Sequence, residues 1–151
     1  MHILGTKSEY MTFPINENMI FMLCDDFRHE GGGKMSMFGM LGDNMRVNLP
    51  KDQNIVTLSS LGIYVAFKDG IGNFKMNVSL KSPDNKELIP QVEPQSVKKE
   101  RAEGWMNVAL KLSPFRSLLG KHILKVKLKD AEGGEAEYIR TFNIDREPTK
   151  N

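Results

Sequence analysis

Cysteine is almost absent from this 151-residue chain: Cys24 stands alone, so no intramolecular disulfide can form and a cysteine-based zinc site lacks its ligands. A reducing, cytoplasmic setting is the expectation. Charge of one sign is not in excess either. With 21 basic and 19 acidic residues the net charge is only +2, too balanced to make nucleic acid or an anionic membrane an obligatory partner. Long apolar runs are missing too. No stretch approaches the roughly 20 apolar residues that span a bilayer. The opening MHILGTKSEYMTFPINEN has one apolar pair followed by polar residues, unlike the apolar core of a secretory leader. Histidine is scarce and scattered, at positions 2, 29 and 122, so a three-histidine metal site would need long-range convergence.

What is present is alternation. Phe74, Met76, Val78 and Leu80 alternate with Lys75, Asn77, Ser79 and Lys81, the period of a strand with one buried and one solvated face. The pattern recurs at Met106, Val108, Leu110 and Leu112, with Trp105 starting that run from the opposite face. It recurs again at Leu124, Val126 and Leu128 against Lys125, Lys127 and Lys129. Three such ladders predict antiparallel sheets. Met19–Phe27 is nearly continuous in apolar character up to Asp25, which suits a central strand covered on both faces.

Turn chemistry separates these runs. Glu30-Gly31-Gly32-Gly33-Lys34 returns the chain into a strand over Met35–Leu41, and Asn44–Leu49 follows as the next strand of a meander, stopped by Pro50. Asp69–Asn73 supplies glycines for a hairpin between Ile63–Lys68 and Phe74–Lys81. Pro83-Asp84-Asn85, before Leu88 and Ile89, and Glu132-Gly133-Gly134-Glu135, between the strand ending near Lys129 and Tyr138–Ile144, predict two more hairpins. Val97–Glu103 reads as a solvated loop, and Ser113–Gly120 as a connection, with room for one helical turn, whose Phe115, Leu118 and Leu119 plug one end of the fold.

About eight or nine short strands at this turn spacing predict an all-β fold, an immunoglobulin-like antiparallel β-sandwich. The expected organisation is a single sandwich over residues 19–145, preceded by an extension or first strand at residues 1–18 and followed by a tail at 146–151. A hydrophobic share of 40% suffices for one such core.

The segment from Leu23 to Met40 carries a more specific signal: an apolar strand, then Cys24-Asp25-Asp26-Phe27-Arg28, a turn containing Glu30 and Gly32-Gly33-Lys34, and a strand with Ser36 and Gly39. It resembles the opening of a group of short bacterial and phage proteins of unknown function. Their pattern is a "C/A-D-D-V-R" step, a "G-G-K" turn and an "S-L-I-G" strand. Phe27 replaces the usual valine, and methionines enter the second strand, changes that keep apolar character. A looser echo lies at Gly120–Leu128 and Thr141–Ile144. The resemblance implies a fold and leaves the activity open.

Asp25, Asp26, Arg28, His29, Glu30 and Lys34 form the densest polar cluster and are the candidate binding residues. On a regular strand Asp25 and Phe27 face one way while Asp26 and Arg28 face the other, so the two aspartates diverge. Asp26 and Arg28 are placed to pair with each other or to anchor the turn through backbone N–H groups, and Lys34 to reach Glu30 across the turn. The run Gly31–Lys34 is no phosphate loop, because the G-x-x-x-x-G-K-[ST] spacing is missing and a strand follows where a helix should begin. Cys24 lies in an apolar run, where thiols are inert. Met35, Met37 and Met40 could suggest a soft-metal thioether set, but Met40 has the opposite parity, and core filling is the expectation. The ladder Lys125, Lys127, Lys129 projects charges at about 7 Å spacing without interleaved aromatics, a poor nucleic-acid surface.

No coherent catalytic set emerges, and no cofactor is implied. The sequence points to a non-enzymatic, macromolecule-binding module, phage-derived or accessory, with protein as the expected partner. One alternative is a metal-dependent hydrolase using Asp25, Asp26, His29 and Glu30. The other is a structural homo-oligomer of a virion or assembly.

Overall fold

The computed structural model describes residues 12–91, 93–101 and 104–148. Eleven strands are found among them: β1 (Ile20–His29), β2 (Met35–Leu41), β3 (Asn44–Val47), β4 (Ile55–Leu58), β5 (Leu61–Phe67), β6 (Gly72–Lys81), β7 (Gln95–Lys99), β8 (Met106–Leu112), β9 (Phe115–Leu118), β10 (Gly120–Lys129) and β11 (Glu135–Arg146). They form a four-stranded sheet ordered β2-β1-β5-β8, a five-stranded sheet ordered β3-β11-β10-β6-β7, and a two-stranded ribbon β4-β9. The all-β sandwich expected from alternation is the observed architecture, with more strands than the eight or nine counted.

Parity explains how the layers meet. Leu61, Ile63, Val65 and Phe67 on β5 and Phe74, Met76 and Leu80 on β6 are buried, as are Leu124, Val126 and Leu128 on β10 and Tyr138, Phe142 and Ile144 on β11. Rings couple the two sheets: Phe67 meets Tyr138 edge-on at 4.8 Å, and Phe21 lies 6.4 Å from Phe142. Each fully buried side chain of this size contributes roughly 1.5–3 kcal/mol relative to exposure, so the facing ladders decide the fold.

Four expectations about connections change. β5 and β6 are not a hairpin: they lie in different sheets, and Asp69–Ile71 carries the chain from one layer to the other. Gly70, with φ +88°, permits this crossing as well as it would a hairpin. The core selects the crossing because both strands bury one apolar face, and those faces pack against each other. The meander also breaks, since β3 leaves the first sheet and pairs in parallel with β11, Asn44 opposite Asn143. The segment read as a solvated loop begins with the last three residues of β7, which pairs with β6 from Gly72↔Lys99 to Met76↔Gln95; residues 102 and 103 lie outside the described residues. The Ser113–Gly120 connection holds β9, paired with β4 rather than helical, although Phe115 is buried as the plug expected there.

Residues 12–18 lie against one end of the sandwich. Thr12 bridges to Ile71, Phe13 packs 5.2 Å from Phe74, and the Tyr138 hydroxyl donates to the Pro14 carbonyl at 2.7 Å. Asp69 accepts from the Ile15 N–H and the Asn18 amide, while Arg140 donates to the Asn16 and Met19 carbonyls. Residues 1–11 and 149–151 are outside the described residues.

Candidate functional site

The polar cluster singled out by the sequence occupies the far half of β1 and the turn into β2. Residues of β1 and β2 pair from Leu23↔Leu41 to His29↔Met35. Leu23 is buried and Leu41 packs on the core, whereas Phe38 is 42% and Met40 54% exposed.

Two glycines let β1 take its shape. Gly39, at φ +65°, lies across from Asp25, and a Cβ there would sit 2.1 Å from Asp25 Oδ2. On the other flank, a Cβ on Gly62 of β5 would fall 2.7 Å from both Cys24 Sγ and a ring carbon of Phe27. Cys24 and Phe27 therefore cover the same neighbour although strict alternation puts them on opposite faces. The Cys24 thiol is buried and donates to the Asp26 carbonyl at 3.4 Å; burial pushes its pKa up, in keeping with an inert thiol.

The two aspartates diverge. Asp25 turns toward Gly39, while Asp26 reaches across β5 to Lys111 of β8, Oδ1 to Nζ at 2.8 Å. The same Oδ1 accepts the Phe27 N–H at 2.8 Å. Lys111 and that N–H hold the Asp26 carboxyl below its ordinary range. The expected Asp26–Arg28 pair is thus replaced by Asp26–Lys111. The Arg28 guanidinium instead lies 4.8 Å from the centroid of the Phe38 ring.

Lys34 does not pair with Glu30: the Glu30 carboxylate accepts from Ser36 Oγ at 3.3 Å, and the two residues join through their backbones, Glu30 N–H to Lys34 C=O at 2.8 Å. The backbone closes the turn, leaving the lysine side chain to solvent. His29 is exposed opposite Met35. Among the described residues no three His, Cys, Asp or Glu side chains converge in a group that could hold a metal ion, so the hydrolase constellation is not assembled.

Lys111 and Phe38 are the partners sequence reasoning missed. Lys111 sits in a clean alternating run, but its relation to Asp26 depends on strand order, which no local signal carries. The methionines of β2 also depart from expectation. Met19, Met45, Met76 and Met106 fill the core, whereas Met35 and Met37 are partly exposed and Met40 is 54% exposed.

Two other places hold chemistry-bearing groups. His122 is fully buried, its ring stacked on Phe142 at 4.9 Å, with Nε2 2.6 Å from Ser117 Oγ and Nδ1 3.1 Å from the Gly120 carbonyl. An N–H at Nδ1 donating to that carbonyl leaves Nε2 to accept the serine proton, a neutral brace between β9 and β10 without access for a substrate. On the far sheet, Lys127 and Lys129 pair with Glu137 and Glu135 at 3.6 and 3.7 Å, so the lysine ladder is largely matched across the strand.

No family model matches this chain, and no curated protein matches it. Among solved structures, CopC from Methylosinus trichosporium OB3b is similar at 15% identity and a TM-score of 0.36, over 72% of this chain and 88% of that one. The PmoD soluble domain from Methylocystis sp. ATCC 49242 (Rockwell) is similar at 10% identity and a TM-score of 0.38, over 83% and 90%. Both likenesses are too distant to transfer a property to this chain.

Proposed function

We propose that this protein is a non-enzymatic binding module that engages a protein partner through the face carried by the β1–β2 hairpin. One observation carries the reading: Arg28 lies over a half-exposed Phe38 beside the exposed Met40, in a sheet where the Asp26–Lys111 pair links β1 to β8. Aromatic, methionine and arginine side chains are the types enriched where proteins meet, and a rigid sheet presents them without ordering cost.

The competing chemistries have less support. The carboxylates of the hairpin diverge, and Lys127 and Lys129 of the opposite sheet are matched by glutamates. Site-specific photocrosslinking in the native cell tests the reading. A photoreactive residue in place of Phe38 is expected to give discrete protein adducts, and one in place of Lys125 on the far sheet is not. Equal labelling at both positions, or none at Phe38, would overturn it.

A further inference from the structure

β10 pairs in unbroken register with β11 on one side and β6 on the other, so strict alternation holds across the middle of the five-stranded sheet. Met76, Leu80, Leu124, Val126 and Leu128 are buried beneath it. The outward side chains of β6 and β10 include Lys75, Lys81, Lys121, Lys125, Lys127 and Lys129 and no carboxylate. The surplus of the entire chain is only +2, so its charge is sorted: with these six lysines set aside, the rest of the chain is net acidic. Carboxylates approach them from the margins. Glu137 and Glu135 stand 3.6 and 3.7 Å from Lys127 and Lys129, and Glu87, bridged to Lys81 beside β6, lies 3.9 Å from its ammonium. Lys121 and Lys125 have no side-chain partner among the described residues. Between them Ile123 is 39% exposed, and Ile139, opposite Lys125 and diagonal to Ile123, is 48% exposed. Two bare aliphatic side chains thus sit among Lys81, Lys121 and Lys125.

From this face we infer that the five-stranded sheet docks on an anionic lipid surface, its lysines at the head groups and Ile123 and Ile139 entering between them. Charge complementarity calls for an anionic partner, and composition selects which one. Lysine is depleted where proteins meet proteins, so six on one face disfavour a protein. Nucleic acid is gripped by arginine and by aromatic rings on which bases stack, and the outward residues of β6 and β10 include neither. A free phosphate would engage the ammonium groups alone and leave the two isoleucines in water. A lipid surface rewards both kinds of side chain. Each lysine near anionic head groups adds its own attraction, aliphatic groups bury at the boundary with the acyl chains, and the long lysine stems can follow them while keeping the charge outside. The inference does not rest on the protein-binding reading, because the β1–β2 hairpin belongs to the other sheet.

Flotation of the purified full chain with lipid vesicles is the test. Vesicles of equimolar phosphatidylcholine and phosphatidylglycerol are expected to carry the protein, vesicles of phosphatidylcholine alone to leave it behind, and added salt to release it. Lys125→Gln is expected to weaken binding to the mixed vesicles about fivefold, the effect of one lysine at such a surface. Lys51→Gln, the same charge change in the exposed turn between β3 and β4, leaves binding unchanged. The double variant Ile123→Asn/Ile139→Asn keeps the charge and is also expected to bind more weakly. Thermal melts check that the variants are folded. No binding to the mixed vesicles, equal binding to the neutral ones, or equal losses in the two lysine variants overturns the inference. So does binding indifferent to the isoleucine pair, which would reduce the face to a general polyanion surface. Discrete protein adducts from a photoreactive residue at position 125 would instead assign this sheet a protein partner. Failure of the vesicle experiment leaves the reading of the β1–β2 hairpin standing, since that reading is tested at position 38.

Discussion

At Gly39 a single missing carbon decides how two strands fit. The position needs both a positive φ and empty space where Asp25 lies, so Gly39→Ala meets two penalties at once. A loss of about 1–3 kcal/mol is expected, read as a lower urea midpoint with an unchanged slope. Gly39 was among the residues matched in the sequence pattern, but its reason was not legible there. The clash is with a residue fourteen positions earlier, and it exists only once β1 and β2 are in register. The same holds for the aspartates: their divergence was expected from the sequence, while the choice of Lys111 over Arg28 required knowing that β5 separates β1 from β8.

Among elements, legibility follows periodicity. The strands with clean alternation, β6, β8 and β10, were readable because each buries one face. β7 and β9 were not, since short strands whose pairing lies along a rim or in a ribbon leave little apolar pattern. The Glu132–Glu135 turn was legible as the hairpin that joins β10 to β11, whereas Asp69–Asn73, read as a hairpin, is a crossing between sheets, because both demand the same backbone freedom from glycine. The segment 12–18 is tied down chiefly by hydrogen bonds, which leave no hydropathy signal. Burial, with the nearby Asp69 charge, pushes the Tyr138 phenol up to about 12, so its hydroxyl stays protonated and donating to Pro14. Tyr138→Phe is expected to cost about 1 kcal/mol and to speed limited proteolysis within residues 12–18, measured against the wild-type digestion rate.

For the molecule as a whole, His122 sets a pH limit. The ring is enclosed by Phe115 and Ser117 from β9, the Gly120 carbonyl and Phe142 from β11, none of them charged. Burial lowers its pKa below the ordinary 6.5. As pH falls below that value the unfolded chain takes up a proton that the folded chain refuses, so stability declines until the folded pKa is passed. The melting temperature is expected to drop between pH 7.5 and 5, and His122→Phe to flatten the profile in that window. A slope unchanged in the variant would assign the loss to other groups.

The parallel pairing of β3 with β11 joins residues about a hundred positions apart in the chain. Loop closure on that scale comes late in folding. On the ribosome, β3 emerges early and must wait for nearly the whole remaining sequence before its partner exists. The first sheet lacks that dependence, because β1, β2, β5 and β8 are all made by residue 112. Synthesis therefore leaves an interval in which one layer can pair completely while its apolar inner face has no finished second layer to cover it, and the length of that interval is set by translation of the last three strands.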